Sequence, residues 1–142
     1  MTDFELDILP IAELKAHEET LPDRVLRIKK EILEMGIVSM PLWADEKSRI
    51  VLNGHHRLAA LKMLGCARVP VLLIDYENPC VTVNICPGSA IPSISKSMVI
   101  TAALSGQLFA PRSSLHRLNF TPPNFPVSLA ILQQQKLTPI KI

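Results

Sequence analysis

Residues 50 to 65, IVLNGHHRLAALKMLG, constrain this chain more than any other stretch. An apolar run stops at Asn53-Gly54. His55, His56 and Arg57 follow, and Leu58, Ala59, Ala60, Leu61, Met63 and Leu64 then lead to Gly65. A β-branched run cut by Asn-Gly reads as a buried strand and a tight turn, and the Leu/Ala-rich continuation reads as a helix. The start of a helix leaves backbone N–H groups unpaired at the positive end of the dipole. With His55, His56 and Arg57 in the first turn, Gly54 to Arg57 becomes a candidate site for a phosphate or carboxylate. A plainer reading has Asn53 as an N-cap followed by solvated polar residues. It accounts for the asparagine but not for His-His-Arg.

With 142 residues the chain has room for one domain and one core, so residues 1–142 are read as a single domain. A net charge of +2, with no block of like charges, gives no basis for bulk nucleic-acid binding. Aromatic residues make up 4% of the chain, too few for a base-stacking platform. Cys66, Cys80 and Cys86 are separated by 14 and 6 residues, which matches no zinc pattern, so they are read as small core residues. The acidic, mixed N-terminus does not read as a signal peptide, and no apolar run is long enough to span a membrane. A reducing cytoplasm is the expected location.

Along the chain, Phe4–Leu9 is predicted as an edge strand and residues 11–21 as a polar loop holding His17-Glu18-Glu19. A helix is predicted from Pro22-Asp23 to a stop at Gly36, with Val25, Ile28, Ile32 and Met35 at helical spacing. Strands are expected at 41–44, 49–52, 69–75 and 81–85. A helix capped by Ser93 or Ser95 should run to Ser105 and stop at Gly106. Residues 111–117 read as a loop, and Pro122, Pro123 and Pro126 exclude regular structure nearby. Val127 to Ile142 carries too weak a pattern to assign, although a strand or short helix packing back is compatible with it. Met35, Met40, Met63, Met98 and Trp43 read as core. The alternation of elements predicts an α/β or α+β domain.

The stretch from Leu9 to Tyr76 resembles the ParB/sulfiredoxin superfamily. The helix with its glycine stop is followed by MPLWADEKSRIVLNGHHRLAALKMLGCARVPVLLIDY, similar to that family's strand, turn, strand, G-x-H-R helix, Gly and V-P-V strand. Two further elements look like the branch of ADP-dependent free L-serine kinases. One is His17-Glu18-Glu19. The other is Ala103 to His116, similar to that branch's segment of a glycine followed by P-(K/R)-(S/T)-(S/T)-x-H. The resemblance implies an α+β fold with a small mixed sheet flanked by helices, with core motifs in 9–76, the kinase-like segment in 95–120 and a tail at 121–142. Asn53 stands where the kinase-like pattern usually has Asp, which removes an anionic oxygen next to the Gly54 turn. Against sulfiredoxin, His55 occupies the place of the reactive cysteine. Against chromosome-partitioning ParB, the chain has no room for the helix-turn-helix that follows in that family.

What the resemblance implies for function is a kinase that moves the β-phosphate of ADP to free L-serine, giving O-phosphoserine and AMP, with magnesium offsetting the polyphosphate charge. Gly54, His55, His56 and Arg57 would hold nucleotide phosphates. Arg112, Ser113, Ser114 and His116 would close the other side. Glu18 or Glu19 would take the proton from the serine hydroxyl, with Asn53 beside them. A different class stays open beside it: a ParB-like module that binds CTP or ADP as a switch without catalysis. The nuclease label attached to this superfamily finds no carboxylate cluster of two-metal character.

Overall fold

The structure is a computed structural model and describes residues 4–134. Four strands, β1 (Phe4–Pro10), β3 (Leu42–Asp45), β4 (Val51–Asn53) and β5 (Arg68–Ile74), form a mixed sheet in the order β1-β5-β3-β4. β5 is the hinge of its topology. It runs antiparallel to β1, with Leu6 opposite Leu72, and parallel to β3, with Trp43 opposite Leu72. The α+β architecture with a small mixed sheet matches the expectation.

β5 is buried on both faces, as its unbroken apolar sequence requires. Val69, Val71 and Leu73 join one core with Val25 and Ile32 of α1 (Pro22–Met35), Leu58 and Leu61 of α2 (His55–Met63), and Leu129 and Leu132 of α4 (Leu129–Leu132). Leu72 and Ile74 join a second core with Val81 of β6 (Val81–Ile85) and Val99 of α3 (Lys96–Ser105). The sheet is therefore covered on both sides.

Helix boundaries follow local chemistry. Pro22 opens α1, and Gly36 closes it in the left-handed region at φ 69°. The Ser95 hydroxyl caps α3 by accepting from the Met98 N–H, and Gly106 ends it. Three expectations need correction. Residues 114–118 are a strand, β7 (Ser114–Leu118), not a loop, because β6 supplies a full antiparallel partner with Ile85 opposite Ser114. The methionines are not core: Met35 and Met63 are 65% and 53% exposed, on the outer faces of their helices. Trp43 is half-buried against the second core.

After Pro126 the chain packs back. β8 (Val127–Ser128) pairs with β2 (Ile37–Val38), and α4 adds Leu132 to the first core. The rest of the expected tail, residues 135–142, lies outside the described residues. No described helix is long and apolar enough to cross a membrane.

Candidate functional site

The site begins where β4 meets α2. Gly54 adopts φ 103°, a region open to glycine, and a Cβ there would lie 2.4 Å from the Leu42 side chain. This close approach turns the chain directly from sheet to helix. Asn53 is the last residue of β4, opposite Trp43, and Gly54 is the N-cap. No side chain caps α2, so the expectation of an Asn53 cap is corrected. The first N–H to return along the helix is that of Leu58, to the Gly54 carbonyl at 2.8 Å. The N–H groups of His55, His56 and Arg57 are therefore not consumed by the helix.

A cavity of about 480 Å³ opens at this helix start. Asn53, Gly54, His55, His56 and Arg57 line it from β4 and α2, Arg24 and Ile28 from α1, and Arg112, Ser114, Leu115 and His116 from β7 and the loop before it. Glu18, Leu52, Cys86 and Pro87 complete it. Among the described residues, Glu18 is the one carboxylate in its lining.

Glu18 is held on both sides by backbone. Lys15 bonds to Arg49 and Val51 next to β4, and Glu19 and His17 exchange bonds with Phe109 on the far side. Segment 15–19 thus behaves as an extra strand threaded between the sheet edge and residue 109. Glu18 is 8% exposed; its Oε1 accepts the Arg112 N–H, and its Oε2 accepts the Ser114 hydroxyl at 2.7 Å. To present that N–H, Arg112 takes φ 61°, rare for a residue with a side chain. Its exposed guanidinium stays at the cavity.

Behind Glu18 lie three buried histidines. His17 is fully buried; its Nδ1 is 2.7 Å from the Val51 carbonyl oxygen and its Nε2 is 2.9 Å from Ser114 Oγ. The His55 ring stands edge-on to it at 4.5 Å, with Nε2 accepting the His17 N–H. His116 pairs with the Tyr76 hydroxyl at 2.8 Å. Burial lowers the proton affinity of all three: His55 falls well below the ordinary value and His116 to about 3. For His17, the Val51 carbonyl and the Glu18 charge partly offset the burial.

No family model matches the chain. An ATP-dependent L-serine kinase of Staphylothermus marinus is 33% identical over 93 residues, which cover 63% of this chain and 37% of the relative. A ParB-like protein of Sulfolobus acidocaldarius is 30% identical over 84 residues, 59% of this chain and 42% of the relative. The chain thus spans less than half the length of these curated relatives. Among solved structures, a free serine kinase in complex with AMP superposes with a TM-score of 0.79 at 14% identity, covering 89% of this chain and 93% of that one. SbnI from Staphylococcus aureus, truncated at its C-terminus, gives 0.75 at 16% identity, with 92% and 90% covered. The chain has the free serine kinase fold. The likeness seen in the sequence, to the serine-kinase branch of the ParB/sulfiredoxin superfamily, is the one both comparisons return.

On this free serine kinase fold, most of the residues singled out from the sequence converge. Glu18, Asn53, Gly54, His55, His56, Arg57, Arg112, Ser114 and His116 all line the cavity. Glu19 does not: it is exposed and borders a separate, smaller depression. Ser113 does not either, because its buried hydroxyl turns back to the Ala110 carbonyl at 2.6 Å. At the candidate anion site of Gly54 to Arg57, the two histidines add little positive charge. His55 is buried and neutral, and His56 has its proton affinity lowered by burial and by Arg24. His56 Nε2 accepts the Leu21 N–H at 3.0 Å. One arm of the Arg57 guanidinium is spent on the Met40 and Pro41 carbonyls, which fixes the approach to β3. Positive charge at the rim comes instead from Arg112 and from Arg24, on the first turn of α1. Arg24 and Cys86 carried no motif, and only the fold brings them here. His17 was visible in His-Glu-Glu, but nothing in the sequence marked it as buried.

Magnesium, which the resemblance implies, finds no set of oxygen ligands among the described residues of this cavity. Both Glu18 oxygens are occupied by Arg112 and Ser114. The ligand atoms that do cluster, within 4.8 Å on His17, Glu18 and His55, include two nitrogens that already bind Ser114 Oγ and the His17 N–H. Magnesium prefers oxygen in octahedral geometry, so this cluster is a hydrogen-bonded unit and not a magnesium cage.

Proposed function

We propose that this protein transfers a phosphoryl group from a nucleotide to the hydroxyl of free L-serine, giving O-phosphoserine. The observation that carries the reading is the meeting of a single buried carboxylate, Glu18, with an anion-binding helix start in one cavity. Phosphoryl transfer asks for little covalent chemistry from a protein; it needs positioning and charge neutralisation. In this reading the N–H groups of His55, His56 and Arg57 and the Arg112 guanidinium hold the phosphates. Glu18 orients the serine hydroxyl and takes its proton, and Asn53 borders the acceptor. We take ADP as donor and AMP as the second product. Two of the curated relatives are named for ATP, and a solved free serine kinase carries AMP. The reaction is placed in the cytoplasm, in one domain of residues 1–142.

Two observations favour a second reading: both Glu18 oxygens are already engaged, and a relative of similar identity is named ParB-like. In that reading the cavity binds a nucleotide as a switch and catalyses nothing. A thermal-shift panel of ADP, ATP and CTP separates the two. A nucleotide present at about 100 times its Kd stabilises the folded state by roughly 2.7 kcal/mol. The kinase reading expects the shift with ADP or ATP, enlarged in series by L-serine. A shift with CTP alone would overturn it.

A further inference from the structure

Ser114 Oγ lies 2.7 Å from Glu18 Oε2 and 2.9 Å from His17 Nε2, so one hydroxyl joins the carboxylate to the imidazole. The other imidazole nitrogen, Nδ1, is 2.7 Å from the Val51 carbonyl oxygen. A carbonyl oxygen accepts only, so Nδ1 carries a hydrogen. A serine hydroxyl has one hydrogen to give. If it goes to Glu18, then Nε2 must donate to Ser114, and His17 is an imidazolium. If it goes to His17, then Glu18 must donate, and Glu18 is a carboxylic acid. Either way, the hydrogen bonds described hold one proton more than an ionised Glu18 beside a neutral His17: with both bonds to Ser114 made the unit is loaded, and its empty, proton-accepting state keeps only one of them.

We propose that Glu18, Ser114 and His17 form a buried proton relay, in which a proton accepted by Glu18 passes through the Ser114 hydroxyl to His17 Nε2. The source of that proton, the hydroxyl of the phosphoryl acceptor, rests on the kinase reading. The acceptor O–H bond breaks, its electron pair goes to the new O–P bond, and the hydrogen goes to the Glu18 carboxylate. Glu18 Oε2 then gives a hydrogen to Ser114 Oγ while Ser114 Oγ gives its own to His17 Nε2. Glu18 ends ionised, Ser114 neutral and His17 as the imidazolium. After products leave, the same path in reverse returns the proton through Glu18 to the cavity.

The surroundings suit a store of this kind. Among the described residues, only the relay and the Val51 carbonyl meet the ring nitrogens of His17, which is fully buried, so its proton is screened from water. The titratable groups packed against it are His55 of α2, His116 of β7 and Glu18 itself. Both histidines are held neutral by burial, so they add no standing positive charge next to the imidazolium. Glu18 Oε2, at 3.8 Å from His17 Nε2, supplies the counter-charge. Arg112 meets Glu18 through its backbone N–H, while its guanidinium and the Arg24 and His56 side chains stand at the cavity lining. His17 and Ser114 act through Glu18 and are positioning residues.

The test is nitrogen-15 NMR of the histidine rings across pH, without nucleotide, beside the pH profile of kcat/KM, for wild type, Ser114→Ala and Ser114→Thr. In wild type the His17 Nε2 signal is expected to move with pH in step with the acidic limb of the kcat/KM profile. Ser114→Ala should uncouple the two, shift that limb and lower kcat by roughly tenfold or more. Ser114→Thr keeps a hydroxyl and should restore both. A His17 signal that ignores pH across the limb overturns the relay, as does a Ser114→Ala profile superimposable on wild type. Absence of kinase activity with a titrating, Ser114-dependent His17 would count against the kinase reading alone. If Ser114→Ala fails to fold, the wild-type and Ser114→Thr titrations still decide.

Discussion

The Glu18 carboxylate accepts a hydrogen bond from the Ser114 hydroxyl at 2.7 Å, across 96 residues of chain. The two segments with kinase-like sequence are thus one physical unit, and each holds the other in place. The carboxylate that would accept a proton is also the anchor of the loop that would carry the phosphate contact.

Glu18→Gln tests both roles at once. An amide nitrogen facing either the Arg112 N–H or the Ser114 N–H sets donor against donor, at a cost of about 1–3 kcal/mol. Loss of a general base lowers kcat by roughly 10²–10⁴-fold. The variant should therefore lose both melting temperature and turnover. Glu19→Gln, at an exposed side chain outside the cavity, should change neither. Calorimetry and a product assay on the pair check this.

Arg57 and Arg112 should separate by measurement. Arg57 donates to the carbonyls of exposed Met40 and buried Pro41, so Arg57→Ala is expected to lower stability by about 1–3 kcal/mol, chiefly by stripping the Pro41 carbonyl of its partner. Arg112 is exposed, and its side chain borders the cavity. Arg112→Ala should leave the melting temperature nearly unchanged and weaken nucleotide binding roughly tenfold, the value of a charge-assisted contact worth about 1.5 kcal/mol. Isothermal titration with ADP and a melting curve on each variant give the answer.

Gly54→Ala should be among the most damaging small substitutions. Its Cβ would meet Leu42 at 2.4 Å, and φ 103° disfavours any side chain. Backbone strain of this kind costs about 1–3 kcal/mol. Adding Leu42→Ala removes the clash but not the strain. A double-mutant cycle should therefore recover part of the loss due to Gly54→Ala and not all of it.

Acid should weaken the fold. Burial, then the neighbouring His17, takes His116 down to about 3 from an ordinary 6.5, and His55 also lies well below it. Between these values the unfolded chain binds more protons than the folded one. Stability is therefore full above about pH 6.5 and falls as pH drops toward 3, by on the order of 1 kcal/mol per pH unit for each such histidine. His116→Gln should be less stable at about pH 7, since it alters the Tyr76 bond, yet lose less between about pH 7 and pH 5. Melting temperatures at the two pH values settle it.

Much of this was legible in the sequence because the signals are local. Pro22 and Gly36 bracket α1, Ser95 and Gly106 bracket α3, and the apolar run of β5 requires cover on both faces. The Gly54 turn needs glycine for a reason that the sequence only hints at, the side chain of Leu42. What was not legible depends on distant pairing. Ser114–Leu118 becomes a strand only because β6 lies beside it, and Ser113 and Ser114, adjacent in sequence, turn to opposite tasks for the same reason. The histidine pair reads as charge in a sequence. Burial of His55 against His17 makes it a neutral scaffold instead.

The central claim is phosphoryl transfer to free serine at a site built on Glu18. Phosphorus-31 NMR tests it most directly, on purified protein incubated with L-serine, a divalent cation and either ADP or ATP. A growing O-phosphoserine resonance is expected, matched by AMP from ADP or by ADP from ATP, and lost in Glu18→Gln. No phosphoserine with either donor, from protein that nucleotide demonstrably stabilises, would contradict it.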